Sequence, residues 1–185
     1  MKTQDFLLEL GTEELPPKLL VKLSSSLKDN IINELKQLNI STSNVIAYAT
    51  PRRLAITISE LQSKQQDQII EKKGPSVESA DKAIEGFAKS CGVDISKLEK
   101  RSFGNKEYYF YKTQEAGKSI QSLLPRVIES SINNIPITRA MKWGDLDYSF
   151  VRPVHWLVMM LDNEVVPAHI MGLESGNTTK GLRSN

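Results

Sequence analysis

The chain has 185 residues, which suits one compact domain or one domain with a small addition. Its 24 Lys and Arg residues nearly balance 22 Asp and Glu residues, so no general basic field attracts the chain to nucleic acid or an anionic membrane. A hydrophobic content of 39% is enough for a core and argues against wholesale disorder. Because the apolar runs are short and the single cysteine, Cys91, has no partner, we expect a cytoplasmic protein without membrane insertion.

The first 61 residues predict a strand–helix–strand–strand unit. Residues 5–10 form a short apolar run typical of a buried strand. An amphipathic helix is predicted after Pro16 and Pro17 from apolar residues at spacings of three and four: Leu20, Leu23, Leu27, Ile31, Leu35 and Leu38. Residues 45–49 and 54–61 then have the composition of strands, and the second run alternates apolar and polar residues.

The middle of the chain predicts a helix and a strand after a polar segment. Residues 62–75 are interpreted as a loop or a weak strand. Apolar residues between Ala80 and Cys91 predict a short helix that Gly92 ends, and residues 108–114 predict a strand.

The last third predicts a further helix and a hairpin. Apolar spacing predicts a helix over 120–135, and Pro125 requires it either to begin near Leu124 or to kink. Two apolar runs around Asp162 and Asn163 form a hairpin candidate, whereas residues 172–176 are interpreted as a turn.

These elements are interspersed without repeating strand–helix units, so the predicted fold class is α+β, with mixed or antiparallel sheet packed against two or three amphipathic helices. We expect residues 1–75 to form an N-terminal unit, and residues 76–185 to form a second α+β portion of the same compact region, ending in the hairpin.

No active site can be assembled from the motifs of this sequence. His155 and His169 are not in a metal-binding spacing, and His155, in an apolar strand, is interpreted as a hydrogen-bonded core residue. The chain has no glycine-rich phosphate-binding loop. Glu13 and Glu14 are expected to open a helix, where the helix dipole favours negative charge, so their presence needs no catalytic explanation.

Basic and aromatic residues are more informative, because together they can contact phosphates and stack on unpaired bases. The candidate RNA-binding residues are Arg52, Arg53, Lys72, Lys73, Arg139, Lys142, Trp143 and Arg152. The alternative is structural, with the lysines in a solvated loop and the arginines paired with Glu9, Glu13 or Glu14. Since the residues from Arg139 onward hold equal numbers of basic and acidic side chains, charge alone favours the structural alternative.

Several blocks, in order along the chain, resemble the β subunit of bacterial heterotetrameric glycyl-tRNA synthetase. They are FLLELGTEELPPKLL, ATPRRLAITI, EKKGP, AIEGFAKSCGV, MKWGDLDYSFVRPVHWLV and HIMGLESGNTTKG. The resemblance extends over essentially the whole chain. The resemblance implies that this chain corresponds to the N-terminal region of a longer subunit, because the family's β subunit continues into further domains.

The resemblance also implies a function that the spacing of residues does not reach. In that family, glycine is activated with ATP and transferred to tRNA by an α2β2 complex, and the α subunit holds the catalytic site with its ATP and Mg²⁺. We therefore expect no cofactor and no catalytic residue on this chain. The expected role is to support charging through tRNA binding and complex formation, and the alternative is a subunit-assembly module without direct tRNA contact.

Overall fold

The computed structural model describes residues 1–137, 141–142 and 149–181, with no side-chain description at 141, 142 and 149. The described residues form three helices and twelve strands. In chain order these are β1 (Thr3–Thr12), α1 (Leu20–Gln37), β2 (Asn44–Thr50), β3 (Arg53–Gln62), β4 (Gln68–Ser76), α2 (Asp81–Ser90), β5 (Glu99–Phe103), β6 (Lys106–Glu115), α3 (Ile120–Asn133), β7 (Met141–Lys142), β8 (Ser149–Phe150), β9 (Val154–Leu161), β10 (Glu164–Val165), β11 (His169–Ile170) and β12 (Leu173–Gly176). None of the described helices has both the length and the apolar character needed to cross a membrane.

The chain divides into two compact units. Unit 1 combines Met1–Gln65 with Lys118–Asn185, and unit 2 is Gln66–Gly117. Unit 2 is therefore inserted between two parts of unit 1 in the sequence. The boundary expected at residue 75 falls inside β4.

Unit 1 is built on a seven-stranded sheet in the order β11-β12-β9-β1-β3-β2, with β10 beside β9. The neighbouring strands are antiparallel except β12 and β9, which are parallel. In the centre, Leu8 of β1 lies between Ile56 of β3 and Met159 of β9. A mixed sheet with helices confirms the predicted α+β class.

The two helices of unit 1 share a core with one face of this sheet. The buried residues of α1 follow the predicted spacing and are Leu23, Leu27, Ile31 and Leu35, together with Ser24. They cluster with buried residues of α3 and with Leu8, Leu54 and Ile56 of the sheet. Two hydrogen bonds join the helices, from Asn30 Nδ2 to the Ser131 carbonyl at 2.9 Å and from Ser130 Oγ to Glu34 Oε1 at 2.7 Å.

Helix α3 begins four residues before Leu124 and includes Pro125 in its interior. Its N-cap is Ser119, whose hydroxyl accepts a hydrogen bond from the Ser122 N–H at 3.3 Å. This cap satisfies one of the amide groups that a helix start leaves without an intrahelical partner. Leu124, with no exposed surface, belongs to the core cluster.

The C-terminal part of unit 1 contains the predicted hairpin and β12, a strand that was not predicted. Strands β9 and β10 are antiparallel neighbours, and Asp162 at the turn has a positive φ of 49°. The interpretation of residues 172–176 as a turn is wrong. The change of direction occurs at Met171 and Gly172, which have φ values of 52° and 71°, and the following residues form β12 beside β9.

Unit 2 is a three-stranded antiparallel sheet in the order β4-β6-β5, with α2. Ile84 and Ala88 of α2 share a small buried cluster with Leu98 and with Tyr109 of β6. The polar segment before α2 thus contains a strand, the second of the two alternatives predicted for it. Helix α2 ends as predicted before Gly92, whose φ is 70°.

Candidate functional site

A cleft of about 1020 Å³ opens in unit 1 where β1 ends and β3 and β9 begin. Antiparallel neighbours run in opposite directions, so the end of β1 lies beside the starts of the strands on either side of it. Gly11 is accordingly opposite both Arg53 and Trp156. The cleft is lined by Thr12, Glu13, Glu14, Thr50, Pro51, Arg52, Arg53, His155, Trp156, Lys180 and Gly181.

Main-chain hydrogen bonds hold the segment that follows β1 in place. The Thr12 N–H donates to the Arg52 carbonyl at 2.9 Å, and the Glu13 N–H donates to the Pro153 carbonyl at 3.0 Å. The Leu15 N–H donates to the Pro51 carbonyl at 2.6 Å. The segment that carries Glu13 and Glu14 is therefore attached to both neighbouring loops, which gives the cleft a defined wall.

Arg53, Glu9 and Trp156 form a polar cluster on one face of the sheet. Trp156 Nε1 donates to Glu9 Oε2 at 2.9 Å, and Arg53 Nη1 lies 3.9 Å from Glu9 Oε1. The guanidinium carbon of Arg53 lies 6.0 Å from the centre of the Trp156 ring, and Arg53 also donates to the Lys180 carbonyl. The alternative that pairs an arginine with Glu9 is confirmed for Arg53, which also contacts Trp156 and the main chain at Lys180.

His155 lies at the rim of the cleft, and its interpretation as a core residue is wrong. Its side chain is exposed, and Nε2 lies 3.3 Å from Glu13 Oε1. The ladder between β1 and β9 pairs Gly11 with Trp156 and Thr12 with Val154, which leaves His155 as the extra residue of a bulge. Such a bulge redirects the side chains of a strand, so the apolar sequence around His155 does not place it in the core.

Glu13 and Glu14 do not open a helix, because α1 begins only at Leu20 after a single 3₁₀ turn (Pro17–Leu19) that has no acidic residue. Both side chains are exposed at the cleft. The main chain of Glu14 accepts a hydrogen bond from Arg152 Nε at 3.3 Å. The helix-dipole explanation for these acids is therefore wrong, and their place is in the cleft wall.

Arg52 differs from Arg53 in being exposed, and none of the described carboxylates forms an ion pair with it. It stands beside Pro51 at the turn between β2 and β3. Its guanidinium, with five donors in a planar group, suits contact with a phosphate. The cleft thus contains a cation that pairs with none of the described carboxylates, together with an indole and the ammonium group of Lys180. The two cations can contact a phosphate backbone, and the indole can stack on a base or ribose.

The candidate RNA-binding residues are distributed over different parts of the chain. Arg52 and Arg53 line the cleft, and Arg152 contacts its wall. Lys72 and Lys73 lie on β4 in unit 2. Arg139 and Trp143 lie outside the described residues, and Lys142 is described only by its backbone in β7.

Sequence reasoning did not select Trp156 or Lys180 for this site, and it named Glu9 only as a partner for an arginine. One signal was available in Gly11, because a glycine inside a strand often marks the close approach of another group. A β-carbon at Gly11 would overlap the indole ring of Trp156. In the part of the chain that the structure describes, no group of three or more His, Cys, Asp and Glu residues could hold a metal ion.

Comparison with known proteins gives one consistent result. The family model described as "Glycyl-tRNA synthetase beta subunit" matches residues 6–185. The chain is 42% identical to the glycine–tRNA ligase beta subunits of Coxiella burnetii (strain Dugway 5J108-111) and Hahella chejuensis, and 39% identical to that of Yersinia enterocolitica. Each alignment covers 99% of this chain and 28% of the relative, so the chain spans little more than a quarter of those proteins. The chain belongs to the glycyl-tRNA synthetase beta subunit family.

Proposed function

We propose that this chain is the N-terminal region of a glycine–tRNA ligase β subunit, and that it supports the ATP-dependent attachment of glycine to tRNA(Gly). In this proposal the α subunit of an α2β2 complex holds the catalytic site and uses ATP and Mg²⁺. The contribution of this chain is to contact tRNA and to help build the complex in the cytoplasm. Support comes from membership of the family and from the residues of the cleft.

The tRNA contact is proposed because the two neighbouring arginines differ in their contacts and in their exposure. Arg53 is engaged by Glu9, Trp156 and the main chain at Lys180, whereas Arg52 is exposed in the same cleft. An exposed guanidinium on a supported wall can bind a phosphate without breaking an existing ion pair. In our proposal Arg52 contacts the tRNA backbone, and Arg53 keeps Trp156 and the Lys180 segment in place.

The test is a charge reversal at Arg52 in a complete ligase made of α and full-length β subunits. We expect Arg52→Glu to raise the apparent KM for tRNA several-fold and to leave glycine-dependent ATP–pyrophosphate exchange unchanged, because activation of glycine needs no tRNA contact in the cleft. Arg53 is unsuitable for this test, since reversing its charge would place a second carboxylate beside Glu9.

Lys22→Glu is the matched control, because it reverses one exposed positive charge on α1, away from the cleft residues. It should leave the KM for tRNA unchanged and so separate a local contact from a general effect of charge. A folded Arg52→Glu enzyme with the KM of the unmodified ligase would exclude tRNA contact at Arg52.

A second candidate function, assembly of subunits without tRNA contact, is favoured by apolar residues on the sheet of unit 1. Ile46 and Tyr48 of β2 are 38% and 51% exposed, and Leu7 of β1 is 38% exposed. They alternate with the buried residues that face the helices, so they occupy the opposite side of the sheet. Exposed apolar groups of this kind are typical of protein interfaces.

The assembly function predicts a different result from the tRNA contact. Tyr48→Glu should then prevent co-purification of β with α in the absence of RNA, and should remove both tRNA charging and ATP–pyrophosphate exchange. Normal co-purification and normal exchange by this variant would exclude an assembly role for this face.

A further inference from the structure

Unit 2 has a sheet face that its own helix does not cover. Tyr109 of β6 is buried with Ile84 and Ala88 of α2, which identifies the covered face. Side chains alternate along a strand, so Tyr108 and Phe110 belong to the opposite face. That opposite face carries no described helix of unit 2.

The strand register brings aromatic and charged residues together on the face opposite α2, where Phe110 is itself buried. Phe110 of β6 is opposite Lys73 of β4 on one side and Glu99 of β5 on the other, and Tyr108 is opposite Arg101. We call this set the aromatic–basic face. Its residues are Glu71, Lys73, Glu99, Arg101, Phe103, Lys106, Tyr108, Phe110 and Lys112.

The aromatic rings of this face are stacked and have cations above them. Phe103 stacks on Phe110, with 5.7 Å between ring centres and an interplanar angle of 19°. Lys73 Nζ lies 5.1 Å from the ring centre of Phe103 and 4.2 Å from that of Tyr108. Phe103 is nevertheless 58% exposed, so a flat group from outside can reach its ring.

The charges on this face are unequal. It has four basic side chains and two carboxylates, and both carboxylates bond to Arg101: Nη2 lies 3.1 Å from Glu71 Oε1 and 3.1 Å from Glu99 Oε2. The excess positive charge therefore comes from the three lysines around the rings. An aromatic ring beside lysines suits a ligand whose flat groups alternate with negative charges.

We propose that the aromatic–basic face of unit 2 binds a single-stranded segment of RNA, with one base stacked on Phe103 and adjacent phosphates paired with Lys73 and its neighbouring lysines. Duplex RNA is excluded as the ligand of this face, because its bases are already stacked and paired and cannot lie on a protein ring. This inference rests on the proposed function in its choice of RNA as ligand, but it concerns a surface that has no cleft residue.

The test uses the 185-residue chain and a fluorescein-labelled 12-nucleotide oligouridylate, with binding measured by fluorescence anisotropy at several salt concentrations. We expect tighter binding of this single strand than of a 12-base-pair RNA duplex. Phe103→Leu should weaken binding about tenfold, in the range that removal of one stacking ring produces, and Phe103→Tyr should restore it. Lys73→Gln should weaken binding and reduce the salt slope by about 0.7, the value for one phosphate contact on a single strand.

Tyr48→Leu is the matched control, because it removes an aromatic ring of similar exposure from unit 1. It should leave oligouridylate binding unchanged. Absence of binding by the unmodified chain, equal binding of the duplex, or full binding by a folded Phe103→Leu variant would each overturn the proposal.

The proposal for the cleft and the proposal for the aromatic–basic face can be overturned independently of each other. Oligouridylate binding is therefore also measured in an Arg52→Glu background, which removes the phosphate contact proposed for the cleft, and Phe103→Leu should weaken binding about tenfold there as well. Normal oligouridylate binding by Phe103→Leu together with a raised KM for tRNA in the Arg52→Glu ligase would overturn only the face on unit 2. The converse pair of results would overturn only the cleft.

Discussion

The indole ring of Trp156 lies directly against the α-carbon of Gly11, its partner on the adjacent strand, in the space that a β-carbon would need. From this position Trp156 donates its ring N–H to Glu9 and lies beside Arg53. The smallest residue of β1 therefore positions one wall of the cleft.

Gly11→Ala should consequently destabilise unit 1 by about 1–3 kcal/mol, the usual cost of forcing extra volume into a packed site. The measurement is urea denaturation followed by circular dichroism and by tryptophan fluorescence, which should also report the displaced indole. Gly86→Ala on α2 is the control of opposite sign. A β-carbon there meets no atom within 4 Å, and alanine should stabilise the helix by about 0.5–1 kcal/mol. Unchanged stability in Gly11→Ala would contradict the close packing.

Thr12 contributes a buried hydroxyl to the cleft wall. The residue is 3% exposed, and its Oγ1 has no hydrogen-bond partner among the described residues. Replacing an unpaired buried hydroxyl with a methyl group removes its desolvation cost, so we expect Thr12→Val to stabilise the chain by about 1 kcal/mol.

Thr50→Val, at an exposed position of β2, serves as the comparison for Thr12→Val and should change stability by less than about 0.5 kcal/mol. Thermal and urea denaturation of both variants would show the difference. A loss of stability in Thr12→Val would show that the hydroxyl has a favourable contact.

Pro125 stands inside α3, where it has no N–H to donate to the carbonyl of Gln121. Pro125→Ala restores this donor and removes a steric conflict in the helix, and both effects stabilise the fold. The unfolded chain also becomes more flexible, which lowers the free energy of unfolding by a smaller amount. We therefore expect a net stabilisation of about 1–2 kcal/mol in urea denaturation. Destabilisation would mean that the proline ring packs too favourably for alanine to replace it.

Arg101 holds the pKa of Glu71 below its ordinary value of 4.5, first by a side-chain hydrogen bond and then by its positive charge. The pKa of Glu71 is lower in the folded chain than in the unfolded chain. Ionised Glu71 therefore stabilises the fold at pH values above its unfolded pKa, and this stabilisation is lost as the pH falls through the lowered, folded pKa. Arg101→Gln should return the pKa of Glu71 towards 4.5 in a carbon-13 NMR titration of its carboxyl group.

Lys112→Gln is the matched control for Arg101→Gln, because Lys112 has the smallest of the effects that lower the pKa of Glu71. It should raise that pKa much less than Arg101→Gln does. Equal increases in the two variants would show that the hydrogen bond from Arg101 is not the main cause.

Much of the secondary structure could be predicted because its signal is local. The spacing of Leu23, Leu27, Ile31 and Leu35 predicts the buried side of α1, and the alternation at Leu54, Ile56 and Ile58 predicts the buried side of β3. Strand β12 was missed because its four residues are recognisable only through their pairing with β9. The same holds for β5, whose exposed, charged residues have little strand character before β6 pairs with them.

The candidate sites were predictable only in part. The adjacent Arg52 and Arg53 stood out as a basic pair, yet nothing in their local sequence distinguishes the exposed one from the one bound to Glu9. In unit 2, Lys73 was selected for its charge, whereas its position over Phe103 and Tyr108 depends on the register of three strands.

The amino-acid sequence by itself determined the helices, the longer strands and the family to which the chain belongs, because these depend on periodicity and on the order of short blocks along the chain. Only the tertiary structure decided which groups meet: Glu9 with Trp156, 147 positions away, and Phe103 with Lys73. The physical reason is that sheet pairing and burial join distant segments, and a side chain becomes a ligand, a support or part of a core only after its neighbours are in place.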